Sequence, residues 1–177
     1  MDEVALLPMA VKAVQEITDL PLCIDSPNAA ALKAALDVYD GKALINSVNG
    51  EEASLNRVLP LVKEYGAAVI GLTMDDSGIP QTSEQRVAVA RKIVERAEAL
   101  GIPREDLLID CLVLTVSADQ TAAKTTLDAI CGVRAELGMN MSLGASNVSF
   151  GLPDREDVNS AFLAMAIALG VNAPIVN

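Results

Sequence analysis

The sequence predicts an α/β fold, a barrel of the TIM type that is incomplete, with six parallel strands. Six β-prone runs are almost continuously apolar, as strands covered on both faces are. Stretches of helical period separate them, so strand and helix alternate throughout. Polar residues gather near the C-terminal ends of several different runs, where a barrel collects its site in a ring. An open doubly wound sheet would instead focus ligand contacts at one switch point.

Taken in order, helical period over 2 to 18 precedes the run "LPLCID" (20 to 25), and a helix over 28 to 39 follows it. "KALINSVN" (42 to 49) leads into a helix over 51 to 65 that stops at "EYGAA". "AAVIGLTMD" (67 to 75) precedes the longest helix, 82 to 100, with Ser83 at its start, Gly101 after it and Pro103 beyond, as helix boundaries require. "DLLIDCLVL" (106 to 114) and a helix over 119 to 137 come next, then "MSLGASNV" (141 to 148), a helix over 155 to 169, and "APIVN" (173 to 177). "ELGMN" and "ALGVNAP" close the last two helices on Gly. No linker or low-complexity segment interrupts the pattern, so residues 1–177 read as a single domain. A full barrel has eight strands and typically ~250 residues, which is why six runs predict an incomplete one.

Composition narrows the chemistry. The net charge of −11, from 24 acidic and 13 basic residues, argues against nucleic acid or an anionic membrane surface as partner. Two Phe, two Tyr and no Trp leave little to stack exposed bases. Cys23, Cys111 and Cys131 form no CxxC pair and suit reduced thiols; with no basic leader and no apolar run of membrane length, a cytoplasmic location is expected. The chain has no histidine, which removes a Ser-His-Asp relay, an imidazole base and a His-ligated zinc. Carboxylates, amides and hydroxyls must do whatever chemistry there is.

Asp25 in "CIDSPN", Asn46 in "LINSVN", Asp75 in "LTMDD", Asp110 in "LIDCLV" and Asn147 in "GASNVS" stand at or near strand ends. Carboxylates accept hydrogen bonds and a carboxamide both accepts and donates, so Asp25, Asn46 and Asp110 suit a flat heterocycle with an amino-pyrimidinone edge. Each also has a duller reading: Asp25 before "SPN", and Asn46 or Asn49, can start turns or cap helices. Their common position favours a site over three separate turns.

The motifs "LCIDSPN", "ALINSVNGE", "GLTMDDSGIP", "LLIDCLVL" and "LGASNVSFGLPDRE", followed by "NSAFLAMAIALG", closely resemble a known family along essentially the whole chain. That family is the methyltetrahydrofolate:corrinoid methyltransferases, whose pterin-binding barrel occurs in the corrinoid/iron–sulfur protein methyltransferase and in the folate domain of cobalamin-dependent methionine synthase. The resemblance implies that Asp25, Asn46 and Asp110 hold the pterin ring and that Asn147 is the catalytic residue, reaching N5 of 5-methyltetrahydrofolate. It implies transfer of the N5-methyl group to the Co(I) of a corrinoid or cobalamin carried by a partner protein or domain, in one-carbon metabolism. A homodimer is expected by the same resemblance, and no metal is bound by the chain itself.

A tertiary amine leaves poorly, so N5 must gain a proton or a strong hydrogen bond as the C–N bond breaks. Asn147 does not titrate, so its carbonyl would stabilise protonated N5 while solvent supplies the proton. Asp75, Arg155 and Asn159 are candidates for supporting positions, against the plainer readings of Asp75 and Asp76 as loop acids and Arg155 as a helix-terminal ion pair. Met139, Met141 and Met165 read as core filler.

Family members begin with two further strands, one carrying an "ERIN"-like motif, and end with another helix. Without them an open edge between "LPLCID" and "APIVN" is expected, and so is weak pterin binding by the isolated chain. Three other readings stay open. One is a dihydropteroate synthase-like pterin enzyme, against which stand the missing lysine-bearing segment in "SLGASNVSFG" and the missing Arg-x-His. Another is a barrel lyase holding Mg²⁺ between Asp25, Asp75 and Asp110. The third is an inactive truncated pterin-binding or assembly module.

Overall fold

A computed structural model describes residues 2–176. Helix α1 (Glu3–Gln15) opens on Asp2, whose carboxylate accepts from the amides of Val4 and Ala5; a side chain that satisfies two orphan donors is what an N-cap does. Strand β1 (Cys23–Asp25) runs into α2 (Ala29–Leu36), capped in the same way by Asn28. Then follow β2 (Leu44–Asn49), α3 (Glu52–Tyr65), β3 (Ala68–Leu72) and α4 (Ser83–Ala99). Thr82, rather than the expected Ser83, caps α4, its hydroxyl accepting from the amide of Gln85. Strand β4 (Leu107–Asp110), α5 (Ala122–Leu137), β5 (Asn140–Gly144), α6 (Arg155–Leu169) and β6 (Ala173–Ile175) complete the order. Residue 177, the end of the last expected strand, lies outside the described residues.

All six strands are parallel and lie side by side in chain order. Sequential order is the barrel arrangement, since a doubly wound sheet reverses direction at a switch point. The sheet curls into a half-barrel, an incomplete TIM-type fold. Among the described residues β1 and β6 are its two edges, as expected.

The faces separate by alternation. Ile45, Val69, Leu107, Ile109, Met141 and Leu143 join the hydrophobic core under the helices. Their neighbours Leu44, Asn46, Ile70, Leu72, Leu108 and Asp110 point to the concave inner face. Two glycines set how closely the helices approach. A Cβ on Gly71 of β3 would stand 3.1 Å from Ile93 of α4, and one on Gly132 of α5 would stand 2.7 Å from Val87. Burial is densest at the middle strands and thins at the edges, where Cys23 and Asp25 of β1 and Ile175 of β6 are exposed.

Helix boundaries match the expected ranges to within a residue except at the first, second and fifth, where α1 and α2 each end three residues early and α5 begins at Ala122. The strands are shorter than the apolar runs. In particular "MSLGASNV" is not one strand: β5 ends at Gly144 and a 3₁₀ turn covers Ala145–Ser149.

Candidate functional site

The segment "LINSVN" makes sense once its register is known. Asn46 pairs with Ile70, but Val48 rather than Ser47 pairs with Gly71, and Asn49 pairs with Leu72. One extra residue on β2, a bulge, breaks the strict alternation. Val48 therefore turns into the core, where it is fully buried, while Asn46 and Asn49 both register with inner-face residues of β3. Without the bulge Val48 would share a face with Asn46.

Asn46 donates from Nδ2 to Oδ2 of Asp25 at 3.1 Å, its register partner on β1. The two line a cleft of about 310 Å³ together with Ser47, Asn49, Arg57 and Leu72. Asn49 serves the turn reading, its Oδ1 accepting the amide of Glu51 at 3.0 Å. Ser26, buried after β1, donates to Glu3 at 2.9 Å and accepts from the Asn28 amide at 3.1 Å. That pair of bonds ties the β1 loop to α1 and α2 and holds the open side of the cleft in place.

Asp110 sits at the end of β4, in register with Leu72 and Ser142, and is only 6% exposed. Burial pushes its carboxyl up to about 6; the amides of Leu112 and Gly144 and the charge of Arg86 pull the other way. The Leu112 amide donates to its Oδ1 at 2.7 Å. Asp110 is not part of the cleft wall that holds Asp25 and Asn46, which it faces from two strands away on the same inner surface.

Asn147 lies in the 3₁₀ turn after β5, exposed, and its carboxamide has no hydrogen bond among the described residues. Gly144 leaves it room, since a Cβ there would stand 3.3 Å from its Nδ2. Arg155 and Asn159 do not reach Asn147; they hold its turn. Arg155 Nε donates to the Ser149 hydroxyl at 3.0 Å and its Nη2 to the Ser146 carbonyl at 3.0 Å, while Ser149 donates to Asn159 Oδ1 at 2.7 Å. Arg155 also covers the Phe150 ring at 5.7 Å. Among the described residues Arg155 forms none of the ion pairs that the plainer reading gave it.

Asp75 is a turn acid: its Oδ1 accepts from the Ser77 hydroxyl at 2.6 Å and the Ser77 amide at 2.9 Å. Those bonds hold it below the usual carboxylate range. It lines a different cleft, with Lys92 and Gln85. Among the described residues no group of three or more His, Cys, Asp or Glu side chains is gathered as a metal site needs, so Asp25, Asp75 and Asp110 do not form the cation site that the lyase reading requires.

The pterin binding enzyme family matches residues 2–177. The chain belongs to that family. Over 178 residues it is 30% identical to a methylcorrinoid:tetrahydrofolate methyltransferase of Eubacterium limosum, covering 99% of this chain and 66% of that protein. It is 34% identical over 174 residues to a methionine synthase of Mycobacterium leprae, covering 91% of this chain and 14% of that much longer protein. The chain thus spans about two thirds of the first relative and a small part of the second. Among solved structures, a dihydropteroate synthase of Yersinia pestis superposes with a TM-score of 0.71 at 17% identity, over 97% of this chain and 70% of that one. At that identity the likeness is one of fold.

Two members of this pterin-binding chain's polar framework were not anticipated from sequence, Ser149 and Arg86. Ser149 carries no signal in "SNVSFG" that separates it from its neighbours. Arg86 does carry one. It falls on the same helical stripe as Ala90, Ile93 and Ala97, all fully buried, so the 3.6-residue period points it inward.

Proposed function

We propose that residues 1–177 form one pterin-binding domain that holds 5-methyltetrahydrofolate on its concave face. The reading continues with transfer of the N5-methyl group to the Co(I) of a corrinoid held by a partner protein or domain. The observation that carries the binding half is the Asp25–Asn46 pair in its cleft, with Asp110 on the same face. Donors and acceptors so placed match the amino and carbonyl groups of a pterin edge. Kinship with the limosum methyltransferase and the leprae methionine synthase supports the transfer half.

The corrinoid supplies the nucleophile, which leaves this chain to position the ring and to ease the departure of N5. As the methyl group leaves, N5 keeps the electron pair of the broken bond and takes a proton from solvent. Asn147, on a turn clamped by Arg155, Ser149 and Asn159, stabilises that protonated nitrogen through its carbonyl oxygen. Asp110 serves as acceptor for ring N–H groups in its ionised form, so binding strengthens as pH rises through about 6.

Calorimetric titration with 5-methyltetrahydrofolate, beside Asn46→Ala and with far-UV spectra of both chains, tests the binding half. Saturable binding lost in a folded variant is the expected result; a folded wild-type chain that binds none overturns it. A methyl-transfer assay with a Co(I) corrinoid protein then tests the second half. The same fold in dihydropteroate synthase makes pteroate formation from hydroxymethylpterin pyrophosphate and aminobenzoate the control reaction, and none is expected.

A further inference from the structure

Arg86 is the most deeply buried charged side chain among the described residues, 2% exposed, and it forms no ion pair there. A buried cation without a partner is costly, yet acceptors meet both its Nη1 and its Nε. Its Nη1 donates to the carbonyls of Cys111 at 2.9 Å and Leu112 at 2.6 Å and to the Thr126 hydroxyl at 3.1 Å, and its Nε donates to the Pro80 carbonyl at 3.0 Å. Thr126 in turn donates to the carbonyls of Leu112, 3.1 Å, and Ala122, 3.0 Å.

Leu112, which these bonds clamp, has φ of +53°. A left-handed conformation at a branched non-Gly residue is strained and persists only where the surroundings enforce it. The product of that conformation is the Leu112 amide laid on Asp110 Oδ1 at 2.7 Å. The strand before it is fixed separately, by the Thr73 amide donating to the Asp110 carbonyl at 3.0 Å.

We propose that Arg86 is a positioning residue for the pterin site, holding the Cys111–Leu112 turn so that the Leu112 amide stays on Asp110 while a fixed positive charge sits behind that carboxylate. This rests on the reading of Asp110 as a pterin acceptor. The alternative is that Arg86 merely fastens the loop after β4 to α4 and α5, with no consequence for the carboxylate. The two differ in what happens to Asp110 when Arg86 changes. The groups that bear on Asp110 are few: Arg86 from α4, Cys111 on its own loop, neutral because burial pushes its thiol up to about 12, and the uncharged amides of Leu112 and of Gly144 from β5. Asp119 acts on Arg86 from the loop before α5.

The experiment follows the Asp110 carboxyl of the ligand-free chain by carbon-13 NMR against pH, in wild type, Arg86→Met, Arg86→Lys and Thr126→Val. Binding of 5-methyltetrahydrofolate is measured by calorimetry over the same range. Arg86→Met is expected to raise the midpoint on the order of one unit, since it removes both the charge and the clamp. The pH profile of binding moves up by the same interval. Arg86→Lys brings the midpoint back toward wild type, and Thr126→Val, which keeps the charge and loses one bond to the Leu112 carbonyl, shifts it less. A folded Arg86→Met chain with an unmoved midpoint overturns the proposal. If that variant does not fold, a Thr126→Val midpoint unmoved from wild type overturns it equally. A midpoint that moves in a chain whose wild type binds no 5-methyltetrahydrofolate supports the Arg86–Asp110 coupling and overturns the pterin reading alone.

Discussion

Asp25 and Asp110 are the last residues of their strands, and the half-barrel gives them opposite surroundings. Asp110 ends a strand flanked on both sides, is 6% exposed and is pushed up to about 6 by burial. Asp25 ends an edge strand of three residues, is exposed, and has Asn46 as its hydrogen-bonding neighbour. The same contrast runs through the apolar residues: Ile109 of β4 is fully buried, while Ile175 of β6 is 47% exposed. In a parallel sheet, position across the sheet sets what a side chain contributes, because the flanking strands and helices remove the water.

The largest effect expected from this comparison is in the core. Ile109→Ala should cost about 2–5 kcal/mol in chemical denaturation, the range for a large buried aliphatic truncated to Ala, whereas Ile175→Ala should cost less than about 1 kcal/mol. Similar losses at both positions would mean that β6 is covered in solution.

Next comes Asp110→Asn. The folded-state pKa of about 6 lies above the ordinary carboxylate value, so the native chain holds the Asp110 proton more tightly than the unfolded chain. Wild-type stability therefore falls as pH rises between about 4 and 6. The Asn variant, with no carboxylate to ionise, should be more stable than wild type by up to about 3 kcal/mol at pH 8 and nearly equal at pH 4. It should also lose most pterin affinity, because its amide cannot replace a carboxylate acceptor.

Asn46→Ala should weaken pterin binding by roughly 10- to 100-fold, as the loss of a hydrogen bond involving a charged group does, with little change in stability. Ser149→Ala is the smallest of the set. Removing the hydroxyl that joins Arg155 to Asn159 should leave the binding constant for 5-methyltetrahydrofolate within about threefold while slowing methyl transfer by about tenfold. An equal loss of both would mean that the turn shapes the ring pocket itself.

The alternation of elements and the glycine stops were legible in the sequence, while the caps at Asp2 and Asn28 were not singled out there. All of them depend on residues a few positions apart, and backbone geometry and local hydrogen bonding decide them. The kinship was legible for a different reason, since several short motifs in fixed order identify a family better than any one of them. The polar set was legible as a set of strand-end residues, and neighbouring strand order then brought Asp25 to Asn46.

What only the tertiary structure decided is how each polar group is used. The bulge that turns Val48 inward and leaves Asn46 and Asn49 on the inner face depends on pairing with β3, which no local pattern specifies. Asp75 resembles Asp110 in sequence, but Ser77 takes up its carboxylate in a turn of its own. Arg155 and Asn159 read as supporting positions near the substrate and the asparagine loop, and it is the fold that gives them their partners in the Asn147 turn. The helical period points Arg86 inward, but most of its acceptors, the carbonyls of Cys111 and Leu112 and the Thr126 hydroxyl, are supplied only when the loop after β4 and α5 close over it. Hydrophobic pattern and capping act over a few residues and are written along the chain. Burial, charge and hydrogen-bond partners at the site come from segments far apart in sequence, which meet only when the sheet curls.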